Sequence, residues 1–220
     1  MVRAVIFDVG ETLVDETRSW GEWADWLGVS RLAFFGALGS VIERGLHHRQ
    51  VFEELRPGLD LDRERERRLL AGPPPGRIGR ADLYPDARPC LDALRARGYW
   101  LGLAGNQPAS AEADLRALAL PVDWVLCSES SGVEKPSPAF FARIVAEARL
   151  PAREIAYVGD RLDNDVLPAM AAGMRGIFLR RGPWGSAHAR RSDVARADAR
   201  IESLAELPAV LEKLAGSPSS

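Results

Sequence analysis

The residues of this chain best equipped for chemistry are Asp8, Asn106, Lys135, Asp160, Asp163 and Asp165. Brought together, the carboxylates would repel, so a cation is expected among them. Hard oxygen donors that leave room for water suit Mg2+. A lysine beside such a cluster implies a second anion in the site, and phosphate fits best. Lysine is informative here, because only Lys135 and Lys213 among the 29 Lys and Arg residues are lysines. Plainer readings stand beside these. Asp8 can simply close a strand or turn, and its own stretch leaves the two roles level. Asp163 with Asn164 can open a helix, which accounts for Asp163 but gives Asp160 and Asp165 no purpose.

A sheet is what would bring these residues to one place. Val2, Ala4, Val5, Ile6 and Phe7 form an apolar run that ends on Asp8, with Gly10 two residues later. Such a run reads as a strand buried on both faces. Further strands are predicted over residues 99–104, ending on Gly105 and Asn106, and over 122–127, opening towards Lys135. Others are predicted over 155–158, ending on Gly159 and Asp160, over 176–179, and weakly around Ile201. Helices are expected over 89–97, stopped by Gly98, and over 109–118, 138–148 and 164–172. Crossovers of this length give an α/β fold with a doubly wound, mostly parallel sheet. The carboxyl ends of its strands share one crevice, where open sheets bind ligands.

Between the first strand and the rest lies a stretch with helical patterning and no strand. Trp20, Trp23, Trp26 and Leu27 fall at helical spacing, which reads as packing of a small domain rather than a substrate wall. Ser30 is placed to cap a helix running through Phe34, Leu38 and Ile42. A short helix over 49–55 is stopped by Pro57 and Gly58, and the charged run 62–68 fits a solvated helix. Gly72-Pro73-Pro74-Pro75-Gly76 reads as a stiff connector. The expected organisation is an α/β core over 1–15 and 81–215, a helical cap over 16–80 and a disordered tail over 216–220.

At 220 residues, 46% hydrophobic and 27% charged, the chain has room for one core domain with a small insertion. Its net charge of −2 offers no surface for nucleic acid or membrane, and no apolar run spans a bilayer. The first strand starts within two residues of Met1, with no signal-peptide pattern, so a cytoplasmic location is expected. Cys90 and Cys127 match no metal spacing and read as buried thiols in a reducing compartment. Arg, Ala, Gly and Pro usage suggests a GC-rich bacterium. His47-His48 reads as a solvated helix end, and Arg180-Arg181 as surface pairing unless an anionic substrate reaches it. No motif sets an oligomeric state.

Three motifs carry a resemblance that covers the whole chain. Asp8-Val9-Gly10-Glu11-Thr12-Leu13, Gly132-Val133-Glu134-Lys135-Pro136 and Gly159-Asp160-Arg161-Leu162-Asp163-Asn164-Asp165 are similar to the first, third and fourth motifs of the haloacid dehalogenase superfamily. The later two are specific as a pair, in order and spacing. The resemblance implies a Rossmann-like core with a helical cap inserted after the first motif. It also implies that Asp8 is a nucleophile forming an aspartyl-phosphate and a ligand of Mg2+. The Gly10 carbonyl would be a second ligand and Asp160 a third, with Asp165 close by in the metal's shell. Lys135 would neutralise the Asp8–phosphate pair, and Thr12, Gly105, Asn106 and Lys135 would face the phosphate of a small phosphorylated substrate.

Two positions depart from that pattern. Phosphatases of the superfamily carry a second Asp two residues after the nucleophile, to protonate the leaving oxygen; here it is Gly10. Glu11 is a poor substitute, because successive side chains leaving a strand point to opposite sides. The second motif supplies a Ser or Thr hydroxyl where this chain has Gly105, leaving Asn106 and main-chain N–H groups as donors. The expected function is therefore a Mg2+-dependent phosphohydrolase, slow or unusual in its demands. Its alternative is a catalytically weak binding or regulatory protein that keeps the site. A dehalogenase has no need of the Asp160/Asp165 pair with Lys135. A phosphonate hydrolase needs a cap lysine, and residues 16–80 contain none.

Overall fold

Alternate side chains of the first strand go to opposite faces of the sheet, and both sets are buried. Val5 and Phe7 pack with Leu91, Leu94, Leu115 and Leu211 on one side. Ala4 and Ile6 pack with Phe140, Phe141 and Ile144 on the other. Apolar side chains on both faces are what a central parallel strand requires, since helices cover each side. The computed structural model describes residues 1–72 and 76–216.

Six strands form the sheet: β1 (Ala4–Phe7), β2 (Trp100–Gly105), β3 (Trp124–Cys127), β4 (Ile155–Gly159), β5 (Arg175–Leu179) and β6 (Ala199–Ile201). Their order is β3-β2-β1-β4-β5-β6, and every neighbouring pair is parallel. The doubly wound α/β architecture expected from the sequence is present, and the sheet is parallel throughout. The chain leaves β1 towards β2 and β3 on one side and returns to β4 on the other, so β1 lies at the switch point. Phe7 is level with Leu103 of β2 and Val158 of β4, which brings their carboxyl ends to one height.

Contacts divide the chain into two compact units, Met1–Asp15 with Ile78–Ser220, and Glu16–Arg77. The second unit has helices Thr17–Trp26, Arg31–Glu43, Gln50–Leu55 and Leu61–Ala71. Ser30 caps its helix as the sequence suggests, accepting from the Ala33 N–H at 3.2 Å. Trp20 packs on Phe34 with ring centres 6.0 Å apart, and Trp23 on Phe52 at 4.9 Å. Arg68 departs from the expected solvated face. It is 8% exposed, its guanidinium 4.2 Å from the Trp23 ring centre, because the planar arginine head can stack on an indole face.

Some boundaries also move. β3 begins at Trp124, two residues late, because the Asp123 carboxylate is held by Arg95 and by the Leu101 N–H. Residues 128–131, 182–188 and 207–216 are helical where no helix was expected. Gly216 ends the last of these; residues 217–220, and Pro73 to Pro75 of the connector, lie outside the described residues. No single helix among the described residues is long and apolar enough to cross a membrane.

Candidate active site

Asp8 follows β1 directly and its N–H still donates to the Val158 carbonyl at 2.9 Å. The last ladder bond therefore fixes where the carboxylate begins. Asp160 directly follows β4. Asp165 comes from one turn of π-helix, Leu162–Val166, which precedes the α-helix Leu167–Ala171. The sequence suggests an ordinary helix opened by Asp163, and the structure corrects this. Asp163 makes no cap; its carboxylate takes both ends of the Arg161 guanidinium, at 3.1 and 2.9 Å. The wide turn swings Asp165 inward, where it is fully buried. Such turns recur at functional sites.

One carboxylate oxygen from each of Asp8, Asp160 and Asp165 lies within 4.8 Å of the others. Lys135, 3% exposed, places its Nζ 2.5 Å from Asp8 Oδ1 and 2.7 Å from Asp165 Oδ1. Asp165 Oδ2 accepts the Arg161 N–H at 3.0 Å. Asn106, expected to donate to substrate phosphate, is occupied differently. Its Oδ1 accepts the Lys135 N–H at 2.8 Å and its Nδ2 donates to the Lys135 carbonyl at 2.9 Å. The amide thereby braces the main chain of Lys135 from both sides of its side chain's origin. Tyr157, a strand residue that no motif marks, lies under the same ammonium, its ring centre 5.6 Å from Nζ. A tyrosine inside a buried strand needs a partner for its hydroxyl, and this one donates to the Ala104 carbonyl at 2.6 Å. That need was the available signal.

Glycine is required beside this cluster. A Cβ on Gly159 would fall 2.4 Å from Asp165 Oδ2. Gly159→Ala should displace Asp165, lowering stability by about 1–3 kcal/mol and weakening divalent-cation binding; melting curves with and without Mg2+ would detect both. At Gly105 a Cβ would lie 3.1 Å from Asp8 Oδ1, so a Ser or Thr there needs the Asp8 carboxylate to shift. Gly10 pairs with Val14 in the turn after β1, and Thr12 within that turn is fully buried. Glu11 has φ +53° and accepts from the Tyr84 hydroxyl at 2.7 Å.

The electrostatics follow from burial. Asp8 is pushed up to about 6 by burial, against the pull of Lys135 and with a further push from Asp165. Burial, Asp165 and Asp8 raise Asp160 well above the usual carboxylate range. Burial alone would lower the Lys135 ammonium, yet Asp165 and Asp8 hold it well above its ordinary value. One ammonium cannot balance three carboxylates. Asp160 Oδ2 is also buried with no hydrogen-bond partner, as is Thr12 Oγ1. Buried polar atoms without partners call for a ligand, and an all-oxygen set fits a hard divalent cation such as Mg2+.

Comparisons with known proteins agree with this architecture. The profile of the haloacid dehalogenase-like hydrolase family matches residues 2–173. A glyceraldehyde 3-phosphate phosphatase of Methanopyrus kandleri is 29% identical over 98% of this chain and 99% of its own. The solved 2-haloacid dehalogenase of Pseudomonas syringae is 27% identical with a TM-score of 0.60, covering 97% of this chain and 99% of that one. A hydrolase of the superfamily from Geobacter sulfurreducens shares the fold, with a TM-score of 0.69 over 96% of each chain at 21% identity. A sheet whose switch point carries this buried acid–lysine cluster, and a family profile spanning most of its length, lead to one assignment: the chain belongs to the haloacid dehalogenase-like hydrolase family.

Proposed function

We propose that this hydrolase is a Mg2+-dependent phosphatase of small phosphorylated metabolites, acting through an aspartyl-phosphate on Asp8, with Glu16–Arg77 as its cap domain. The observation that carries the reading is the Lys135 ammonium set between Asp8 and Asp165 beside the unpartnered Asp160 Oδ2. C–halogen cleavage by a carboxylate calls for no such combination, whereas phosphoryl transfer calls for cationic charge on both sides of the nucleophile. Asp8, Asp160, Asp165 and the Gly10 carbonyl are the groups that would hold Mg2+. When bound, the ion offsets phosphate charge and orients the phosphoryl group for in-line attack.

The chain's own groups then divide the work. An Asp8 carboxylate oxygen attacks phosphorus, and the bond from phosphorus to the leaving oxygen breaks with its electron pair. Lys135 holds the nucleophile in place and balances the dianionic group it meets. Thr12 Oγ1 and main-chain N–H groups near Gly105 are the donors for phosphate oxygens. Water next attacks the phosphorus of the acyl phosphate, releasing phosphate and restoring Asp8. Its proton leaves to solvent. The leaving oxygen must take its proton from water, since position 10 has no side chain.

That last point makes rate depend on the leaving group. Nitrophenyl and acyl phosphates depart without help and should be turned over far faster than alkyl phosphates. Gly10 is not among the described residues with left-handed φ, so a side chain there meets no left-handed backbone strain. Gly10→Asp should speed alkyl phosphates by up to ~10²-fold and leave nitrophenyl phosphates nearly unchanged. A folded, Mg2+-binding variant that accelerates neither would favour a binding or regulatory protein. The primary test is a screen of phosphorylated metabolites with and without Mg2+, against Asp8→Asn as blank. Triose phosphates belong in the panel because of the relative from Methanopyrus kandleri. No turnover of any phosphate ester above the blank would overturn the reading.

A further inference from the structure

One arginine outside the acidic cluster reaches the turn that carries Gly10. Arg181 lies two residues past the end of β5, with its side chain 12% exposed. Its Nη1 donates to the main-chain carbonyl of Thr12 at 2.8 Å, and its Nη2 to Asp86 Oδ2 at 2.5 Å. The guanidinium stacks on Tyr84 at 4.2 Å from the ring centre, and the Tyr84 hydroxyl is the donor to Glu11. Asp86 is itself tied down. The same Oδ2 accepts from Ser203 Oγ at 2.7 Å and from the Leu204 N–H at 3.0 Å. Burial alone would raise the Asp86 carboxyl, but Arg181 and Ser203 hold it below its usual value.

The turn at the other end of this chain of contacts is tight. The N–H groups of Thr12, Leu13 and Val14 converge on the Val9 carbonyl at 3.4, 2.9 and 2.9 Å, and the Glu11 N–H donates to the Val14 carbonyl at 2.7 Å. It includes Glu11 at a left-handed φ of +53°, a conformation a glutamate does not choose unaided. Strained turns persist where their surroundings over-determine them. Here the surroundings are Arg181 on the Thr12 carbonyl and Tyr84 on the Glu11 carboxylate. Gly10 belongs to this turn and Asp8 directly precedes it, so whatever pins the turn fixes Gly10 and bears on the chain leaving Asp8. A plain surface ion pair would not be this buried, and both terminal nitrogens of Arg181 already donate to groups of the protein.

We propose that Arg181, anchored by Asp86, is a positioning residue: through the Thr12 carbonyl it sets the turn that directly follows Asp8 and carries Gly10, the residues whose carboxylate and carbonyl meet cation and phosphate. This rests on the reading of the site given above. Groups that orient a site from behind typically cost 10–100-fold in metal affinity or activity when removed.

The test uses Arg181→Met, Arg181→Lys, Asp86→Leu and the Arg181→Met/Asp86→Leu pair, each measured well below its own melting temperature. Calorimetry reads Mg2+ affinity, and p-nitrophenyl phosphate reads kcat and KM. Arg181→Met should weaken Mg2+ binding about tenfold and lower kcat about tenfold, with KM within about twofold. Arg181→Lys, which keeps one donor and the charge, should recover part of both. The double variant should be no slower than Arg181→Met alone, because Asp86 acts through the arginine. A folded Arg181→Met with wild-type Mg2+ affinity and kcat, or losses confined to melting temperature, would overturn the proposal. Should Arg181→Met not fold, Arg181→Lys decides by the same two readouts. A wild-type protein that binds Mg2+ but turns over no phosphate ester ends the phosphatase reading, while the Mg2+ arm still decides the role of Arg181.

Discussion

Asp8→Asn is expected to abolish phosphate-ester turnover, lowering kcat by about 10⁴-fold or more, as loss of a nucleophile does elsewhere. The amide keeps the size of the carboxylate and cannot form the acyl phosphate. The same substitution should also make the protein more stable. Burial lifts the Asp8 carboxyl to about 6, outweighing the attraction of Lys135. A carboxyl that binds its proton more tightly folded than unfolded adds stability at low pH. That contribution fades as pH rises from about 4 through about 6. Above this window the ionised Asp8 is a cost of folding that asparagine does not carry. Without divalent metal, Asp8→Asn should therefore melt above wild type at about pH 8, and the gap should close as pH falls below about 6. Thermal melts in chelator across that range would check it. A variant that melts lower at pH 8 would show that the Lys135–Asp8 attraction outweighs the burial of the charge.

Such a trade, in which a buried carboxylate opposes the fold, is affordable because the sheet around it is so fully covered. Phe7, Leu103 and Val158 line up across the three central strands, and each is fully buried. Burying side chains of this size contributes about 1.5–3 kcal/mol each, enough that a few offset one ill-placed carboxylate. Stability lives in the strands, and strain in the turns at their ends.

This division explains what could be read from the sequence. Asp8, Asp160 and the loop of Lys135 were legible because periodic apolar runs locate strands, and parallel crossovers send every carboxyl end to one side. Nothing local marks the task of Asn106, which depends on a main-chain segment 29 residues away. The π-helical turn at Leu162–Val166 looks like any helix start, since the choice between hydrogen-bond registers is made by Lys135 and the Arg161 N–H drawing Asp165 inward. Arg181 read as a surface residue for the same reason. Its partner Thr12 is 169 positions distant, and only the closed fold brings that carbonyl within reach of the guanidinium.

Lys135→Ala should produce the largest combined loss. It leaves the Asp8 and Asp165 carboxylates buried without their shared cation. Removing one partner of a buried ion pair typically costs about 3–5 kcal/mol. Mg2+ should restore part of this, since an ion that binds only the folded state stabilises it in proportion to its concentration. Catalysis should not be restored with it. With metal saturating, kcat/KM should remain about 10²–10³-fold below wild type, the cost of losing one preorganised positive group at developing charge. Lys135→Arg separates charge from shape. The guanidinium keeps the charge but is planar and longer, and the slot between Asp8 Oδ1 and Asp165 Oδ1 is built for a single nitrogen at 2.5 and 2.7 Å. Stability should recover more than kcat/KM does. Melting temperature and kcat/KM measured on both variants across a Mg2+ series would resolve the two effects. A folded Lys135→Ala with wild-type kcat/KM would show that the ammonium serves the fold alone, and that phosphate charge in this site is met by the metal without it.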